Sequence, residues 1–297
     1  MLEFHTLDVF TSTPFTGNPL AVVLGADGLS DSQMQTIARE FNLSETIFVQ
    51  TPDSAAHTAK VRIFCPAVEL PFAGHPTVGC AVLLAELAHQ GDFEVEIILE
   101  EVAGLVPVRV VRNGGITSAE FIAPVIPESA IGIVPSRAVA AAALGLSADE
   151  IGFGAHKPGH WQGGPDFLFI PIASRAALSA ARPGASWLEM TAAANTQSVY
   201  LYCKDEGGYS SRMFAPEHGM PEDPATGSAS AILAAQLLAA GALPDGTTTI
   251  LLRQGEDMGR PSEILLMVDV LKQALAEIRI KGAATRFNHG QITSLPL

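Results

Sequence analysis

Arg62-Ile63-Phe64-Cys65-Pro66, with Pro71 after it, and Arg212-Met213-Phe214-Ala215-Pro216, with Pro221 after it, are one pattern written twice at a constant offset of 150. At the same offset Ala81, Leu83, Ala85, Leu87 and Gly91 are matched by Ala231, Leu233, Ala235, Leu237 and Gly241. Each copy reads as a short strand around Arg-x-Phe, a proline-punctuated loop, then a helix of Ala and Leu closed by Gly. The spacing predicts helices from about Pro76 to Gln90 and from Ala225 to Ala240. Two Ala/Leu helices can resemble each other by chance. An ungapped Arg, Phe and two prolines ahead of them favour duplication.

Upstream the parallel is weaker but keeps its order. Gly17-Asn18-Pro19 leads into an apolar run at Leu20 to Leu24, as Gly163-Gly164-Pro165 leads into Phe167 to Ile172. A helix ending at Asn42 precedes the strand Thr46 to Gln50, and one ending at Asn195 precedes Val199 to Cys203. Strand, helix, strand, strand, central helix thus occurs twice, which predicts two similar domains with a ligand cleft between them. Val95 to Phe121 reads as strands and hairpins with a turn at Asn113-Gly114-Gly115. The Pro- and Ile-rich stretch Pro124 to Pro135 is the expected linker.

The chain has 297 residues, 48% hydrophobic and 16% charged, which suits a folded protein with a large core. Its most apolar helical stretch, Ala81 to Ala88, carries Glu86 and is too short to span a bilayer. Glu3, His5 and Asp8 stand where a secretory leader would be apolar, so the expected location is cytoplasmic. With 17 Lys and Arg against 31 Asp and Glu, the net charge of −14 disfavours nucleic acid and anionic membranes as partners. An anionic substrate would need local donors. Cys65, Cys80 and Cys203 form neither a disulfide framework nor a zinc spacing.

Both central helices start in loops of small residues, Pro71-Phe72-Ala73-Gly74-His75-Pro76-Thr77 and Glu222-Asp223-Pro224-Ala225-Thr226-Gly227-Ser228. Free N–H groups at such starts bind carboxylate or phosphate, and Gly74, Gly227 and Ser228 let a ligand approach the backbone. Ordinary capping by Thr77, Asp223 or Thr226 is the plainer reading of either loop alone. Glu45, in Asn42-Leu43-Ser44-Glu45-Thr46, has Ser198 as its counterpart at an offset of 153. A carboxylate present in one half only suits a single acid/base group, its pKa of about 4.3 rising with burial. An exposed Glu where a strand begins is the alternative. His156 and His160 are four apart, but Pro158 and Gly159 argue for a loop rather than a metal-binding helix face. Gly152-Phe153-Gly154 lacks the rest of a dinucleotide fingerprint, and no Walker, G-x-S-x-G or H-E-x-x-H motif occurs. Neither a cofactor nor a metal is expected.

Asp8-Val9-Phe10, Phe15-Thr16-Gly17-Asn18-Pro19-Leu20-Ala21-Val22, Asn42 to Thr46, Glu69 to Thr77, Glu222 to Ser228 and Met258-Gly259-Arg260-Pro261-Ser262 together give a family likeness. The sequence resembles the phenazine-biosynthesis isomerases, the PhzF-like proteins, along nearly its whole length. The resemblance implies an α+β fold like that of diaminopimelate epimerase: two pseudo-symmetric domains, each a curled mixed or antiparallel sheet around a central helix. It places residues 1–125 and about 285–297 in the first domain and 126–284 in the second, with the active site in the cleft between them. It implies Glu45 as the general acid/base, and His75 and Asp223 on the substrate's polar groups. Gly74, Gly227 and Ser228 would surround the substrate, and Asn18, Ser44 and Thr226 complete the expected binding set. The implied reaction type is cofactor-free isomerisation of trans-2,3-dihydro-3-hydroxyanthranilate or a similar small anionic metabolite, carried out by a homodimer. The related epimerases use a cysteine at each helix start; here those positions hold no thiol, which disfavours a two-thiol racemase. An epimerase of an amino-acid-like compound and a binding protein without turnover are the competing expectations.

Overall fold

The structure is a computed structural model, and it describes residues 1–297, the side chain of His218 excepted. The chain forms two compact units, Met1–Ile122 with Lys281–Leu297, and Ala123–Ile280. In the first, β1 (Leu2–Val9), β2 (Asn18–Val23), α1 (Asp31–Phe41), β3 (Glu45–Gln50), β4 (Ala59–Phe64) and β5 (Glu69–Leu70) lead to α2 (Gly74–Ala88). β6 (Phe93–Glu101), β7 (Gly104–Asn113) and β8 (Ile116–Ile122) follow. The second unit begins with β9 (Glu128–Ser129), α3 (Arg137–Leu144), β10 (Gly159–Gln162), β11 (Asp166–Pro171), α4 (Arg175–Ala180) and α5 (Trp187–Ala194). It continues with β12 (Val199–Asp205), β13 (Gly208–Ala215), β14 (Met220–Asp223), α6 (Gly227–Ala239), β15 (Gly246–Gln254) and β16 (Ser262–Leu271). Strand β17 (Ala274–Ile292) starts in the second unit, and its end pairs with β1 in the first.

Pairing follows the same path in both units. β1 lies antiparallel to β2, β2 parallel to β3, β3 antiparallel to β4, and β4 antiparallel to β5 and parallel to β6. β10 lies antiparallel to β11, β11 parallel to β12, β12 antiparallel to β13, and β13 antiparallel to β14 and parallel to β15. Each parallel pair needs a crossover, and helices supply it: α1 between β2 and β3, α2 between β4 and β6, α4 and α5 between β11 and β12, α6 between β13 and β15. The duplicated α+β architecture read from the repeated motif is therefore present.

Both central helices are mostly apolar around their circumference, Glu86 in α2 and Gln236 in α6 excepted, so most of each is buried. α2 packs on β1, β2, β3, β6, β7 and β8, and α6 packs on β10, β11 and β16. At Gly79 a Cβ would meet Leu20 Cδ2 at 2.5 Å and Val9 Cγ2 at 2.7 Å, so only glycine lets α2 sit this close to its sheet. α1 is amphipathic instead. A Ser30–Gln33 capping box starts it, and Met34, Ile37 and Ala38 face Val23, Phe48 and Phe64.

The repeated Arg-x-Phe does the same work twice. Arg62 lies over the ring of Phe64, 5.2 Å from its centroid, and is bidentate to Glu69. Arg212 lies over Phe214 at 4.7 Å and is bidentate to Glu222. In both units a strand is thereby clamped to the short strand that leads to its central helix.

Three expectations need correction. The helices begin at Gly74 and Gly227, and α2 ends at Ala88, where His89 turns extended and Gly91 serves the next turn. Pro124 to Pro135 is not a free linker. It carries β9, and the Ala130 and Ile133 N–H groups donate to the His160 and Ala193 carbonyls at 3.0 and 2.9 Å. Capping by Thr77, Asp223 or Thr226 also fails: the N-cap residues are Ala73 and Thr226, and neither closes its helix through its side chain.

Candidate active site

Each unit carries its own set of polar side chains at the start of its central helix. In the first, the loop after β1 sets the geometry. Asp8 accepts the Phe15 N–H at 2.6 Å, and Phe10, Phe15 and Gly17 all take positive φ. A side chain at Gly17 would run into the Val9 carbonyl, so the chain turns there into β2, whose first residue is the buried Asn18. Helix α1 ends on Asn42 in the left-handed conformation, and Leu43 and Ser44 deliver Glu45 to the start of β3. Leu20 and Glu45 are register partners in the parallel β2–β3 pair, which brings the carboxylate beside the Asn18-Pro19 turn.

His75, in the first turn of α2, completes the cluster. Its Nδ1 is 3.1 Å from Glu45 Oε2 and 3.4 Å from Asn18 Nδ2. Only 12% of the Glu45 side chain and 5% of the His75 side chain are exposed. Burial pushes the His75 imidazole down to about 3, against a smaller opposing effect of the Pro19 carbonyl, so the ring is neutral near pH 7. Asn18 Nδ2 can only donate, so Nδ1 accepts from it and faces the Glu45 carboxyl group as an acceptor, an arrangement that favours the protonated acid. A partly buried carboxyl group beside a neutral imidazole is placed to take up and return a proton.

In the second unit Asp223 ends β14, and its neighbour Glu222 is locked to Arg212 at 2.8 Å through both oxygens. The Thr226 hydroxyl donates to Asp223 Oδ2 at 2.6 Å. Gln254 closes the loop: its Nε2 donates to the Asp223 carbonyl at 2.8 Å and to Thr226 Oγ1 at 2.9 Å, while its Oε1 accepts the Thr226 N–H at 3.2 Å. Ser262 Oγ reaches the Pro224 carbonyl at 3.0 Å, so the Met258-to-Ser262 motif buttresses this loop. Gly227 and Ser228 form the first turn of α6.

Asn18, Glu45 and His75 are thus brought into contact in the first unit, with Ser44 and Gly74 adjoining them in the chain. Asp223 and Thr226 are in contact in the second, with Gly227 and Ser228 directly after them. The sequence reading missed Gln254 and Glu101, because both end ordinary-looking strands and nothing local marks them as facing a helix start. His156 and His160 have other partners, Tyr202 Oη at 3.0 Å and Asp166 Oδ2 at 2.9 Å. Among the described residues no cluster of His, Cys, Asp or Glu could hold a metal ion. No helix is long and apolar enough to cross a membrane.

A duplicated α+β fold that sets a partly buried carboxyl group against a neutral imidazole at a helix start suits a class of enzymes that relocate protons. Comparison with known proteins narrows the class. Residues 7–290 match the family described as phenazine biosynthesis-like protein. An uncharacterized isomerase of Mesorhizobium japonicum is 42% identical, with 96% of each chain covered. The trans-2,3-dihydro-3-hydroxyanthranilate isomerase of Pseudomonas chlororaphis is 35% identical over 98% of this chain and 99% of its own. A solved structure described as a predicted epimerase from Pseudomonas aeruginosa superposes with a TM-score of 0.82 at 32% identity, covering 99% of this chain and 100% of that one. The chain belongs to the phenazine biosynthesis-like family and is an isomerase of the PhzF type.

Proposed function

We propose that this chain isomerises a small cyclic or unsaturated carboxylate by moving one proton, with Glu45 as the single acid/base group. The observation that carries this reading is the 3.1 Å contact between partly buried Glu45 and buried His75 at the start of α2, whose N-cap residue Ala73 makes no side-chain cap. The Glu45 carboxylate takes a proton from carbon, and the electron pair of the broken C–H bond moves into the conjugated system. The resulting carboxylic acid returns the proton at another carbon. Substrate and product have the same formula, and no electron acceptor is needed. His75 holds the base in line through Nδ1, and Asn18, Ser44 and Gly74 bound its space. Asp223, Thr226, Gly227 and Ser228 bind the polar groups of the anionic metabolite, its carboxylate taken by the first-turn N–H groups of α6.

The cysteines count against the two-thiol epimerase. Cys80 lies in the body of α2 and Cys203 in β12; both are buried, and burial pushes both thiols up, Cys203 to about 11. Neither is set to be a thiolate near neutral pH. The test offers trans-2,3-dihydro-3-hydroxyanthranilate and single-enantiomer amino acids separately in heavy water, followed by mass spectrometry and optical rotation. Isomerised product from the first, and no inversion of the second, supports the proposal. Inversion of an amino acid, or tight binding with no deuterium uptake at any pH, overturns it.

A further inference from the structure

A buried carboxyl group that the proposed mechanism does not use reaches the first turn of α2, the turn that carries His75. Glu101, the last residue of β6, is buried, and its Oε1 lies 2.7 Å from the Thr77 hydroxyl in the first turn of α2. The same hydroxyl lies 2.8 Å from the Ala73 carbonyl, the N-cap carbonyl of that helix. A hydroxyl has one proton to give. Either Thr77 gives it to Ala73 and Glu101 must donate to Thr77, or Thr77 gives it to Glu101 and two bare oxygens face each other at 2.8 Å.

The second unit shows which arrangement the fold uses. At the offset of 153, which also relates Glu69 to Glu222, Ala73 corresponds to Thr226, Thr77 to Ser230 and Glu101 to Gln254. Ser230 Oγ donates to the Thr226 carbonyl at 2.8 Å, as Thr77 would donate to Ala73. Gln254, in the place of Glu101, is a neutral side chain that donates N–H into the loop starting α6. Moreover, Glu101 Oε2 is buried without a hydrogen-bond partner, an arrangement that an ionised carboxylate tolerates poorly.

We infer that Glu101 is a positioning residue of the first half-site, carried as a neutral carboxylic acid that donates to Thr77 and so pins the turn bearing Gly74 and His75. Ionisation withdraws that proton and leaves a charge in an apolar setting, which loosens the turn. Burial raises the Glu101 carboxyl to about 8, a smaller effect of Thr77 opposing it, so the loss falls in mildly alkaline solution. Cys80, across from it on α2, is itself held neutral by burial. Glu100, the preceding residue, is engaged elsewhere, by His57 and by the Asp53 and Ser54 N–H groups. No charged neighbour among the described residues takes over the titration.

This inference rests on the proposed site but is tested without relying on turnover. His75 ring resonances are followed by NMR from pH 6 to 10 in the full-length protein, together with the infrared carbonyl band of protonated carboxylic acids. The wild type should show a step in the His75 signals centred at about pH 8 and a carboxylic-acid band that vanishes with it. Glu101→Gln should lose both steps while keeping the His75 signals at their neutral-pH positions, since Gln donates at every pH. Glu101→Leu should shift those signals at every pH. Where proton exchange is also measurable, wild-type rates at pH 9 should be about tenfold below those at pH 7, and those of Glu101→Gln should not fall in this way. An alkaline His75 step that persists in Glu101→Gln, or no step and no acid band in the wild type, overturns the inference. A protein that shows the step yet exchanges no proton keeps this inference and loses the proposed function.

Discussion

Replacing Arg212 by Met should be one of the most damaging single changes outside the proposed chemistry. Arg212 is bidentate to Glu222 at 2.8 Å, and its Nη1 also donates to the Leu178, Ser179 and Ala181 carbonyls at 3.0, 3.2 and 2.9 Å. Only 3% of its side chain is exposed. Met fills most of the volume but leaves the Glu222 carboxylate and the Leu178 carbonyl without that donor, while Arg182 Nη1 still reaches the Ser179 and Ala181 carbonyls at 2.6 and 2.7 Å. Breaking a buried ion pair from one side costs about 3–5 kcal/mol. Arg62, its counterpart, has 19% of its side chain exposed and shares its charge with Glu69 and the largely exposed Asp31. Removing a solvent-screened partner there should cost about 1 kcal/mol. Hydrogen exchange, read by mass spectrometry on α6 peptides for Arg212→Met and on α2 peptides for Arg62→Met, reports each unit separately. The expected result is a protection loss of about a hundredfold or more in α6 and about tenfold or less in α2. Equal losses would refute the claim that burial, rather than the shared motif, sets the cost.

Gly79→Ala sets a gain of about 1 kcal/mol in helix propensity against overpacking on Leu20 and Val9 that costs about 1–3 kcal/mol. Net destabilisation in urea unfolding is expected, with proton exchange lowered because the His75 turn shifts away from Glu45; a more stable and fully active variant would contradict the close packing of α2. Glu101 should leave a signature in stability against pH. Its carboxyl lies at about 8 folded against 4.5 as the ordinary value, so the unfolded chain ionises first. Stability that is full at low pH is lost as pH rises from about 4.5 and levels off above about 8, by roughly 5 kcal/mol at most. Glu101→Gln should flatten that slope in urea titrations at several pH values, and an unchanged slope would contradict it.

The duplication was legible because its signal lies in backbone-restricting and clamp-forming residues. Pro66 and Pro216 follow the strand in both units, and an Arg stacked on its own i+2 Phe needs the same neighbours in each. From Glu69 and Glu222 onward the offset becomes 153, so Pro71 with Pro221 and the helix residues paired at 150 are not equivalent positions. The Ala- and Leu-rich runs of α2 and α6 likewise announced central helices. Glu45 was legible as a carboxylate with no counterpart in the second half. Its contact with His75 was not, because it depends on how α2 is seated over β2 and β3. The same holds for Glu101 and Gln254. Each ends a strand in a local sequence that any edge residue could occupy, and only the helix packed across the sheet gives it a partner. Pro124 to Pro135 misled for the opposite reason: its composition suits a linker, but backbone hydrogen bonds to His160 and Ala193 fasten it to the second unit.

The central claim is that one partly buried glutamate, Glu45, moves the proton. Wild type and Glu45→Gln, shown by circular dichroism to be equally folded, should be compared for deuterium uptake from heavy water into bound dihydrohydroxyanthranilate. Wild type should incorporate a single deuteron at carbon and form isomer, and the amide variant should lose at least about a thousandfold in both. Equal incorporation by the two proteins would contradict the account.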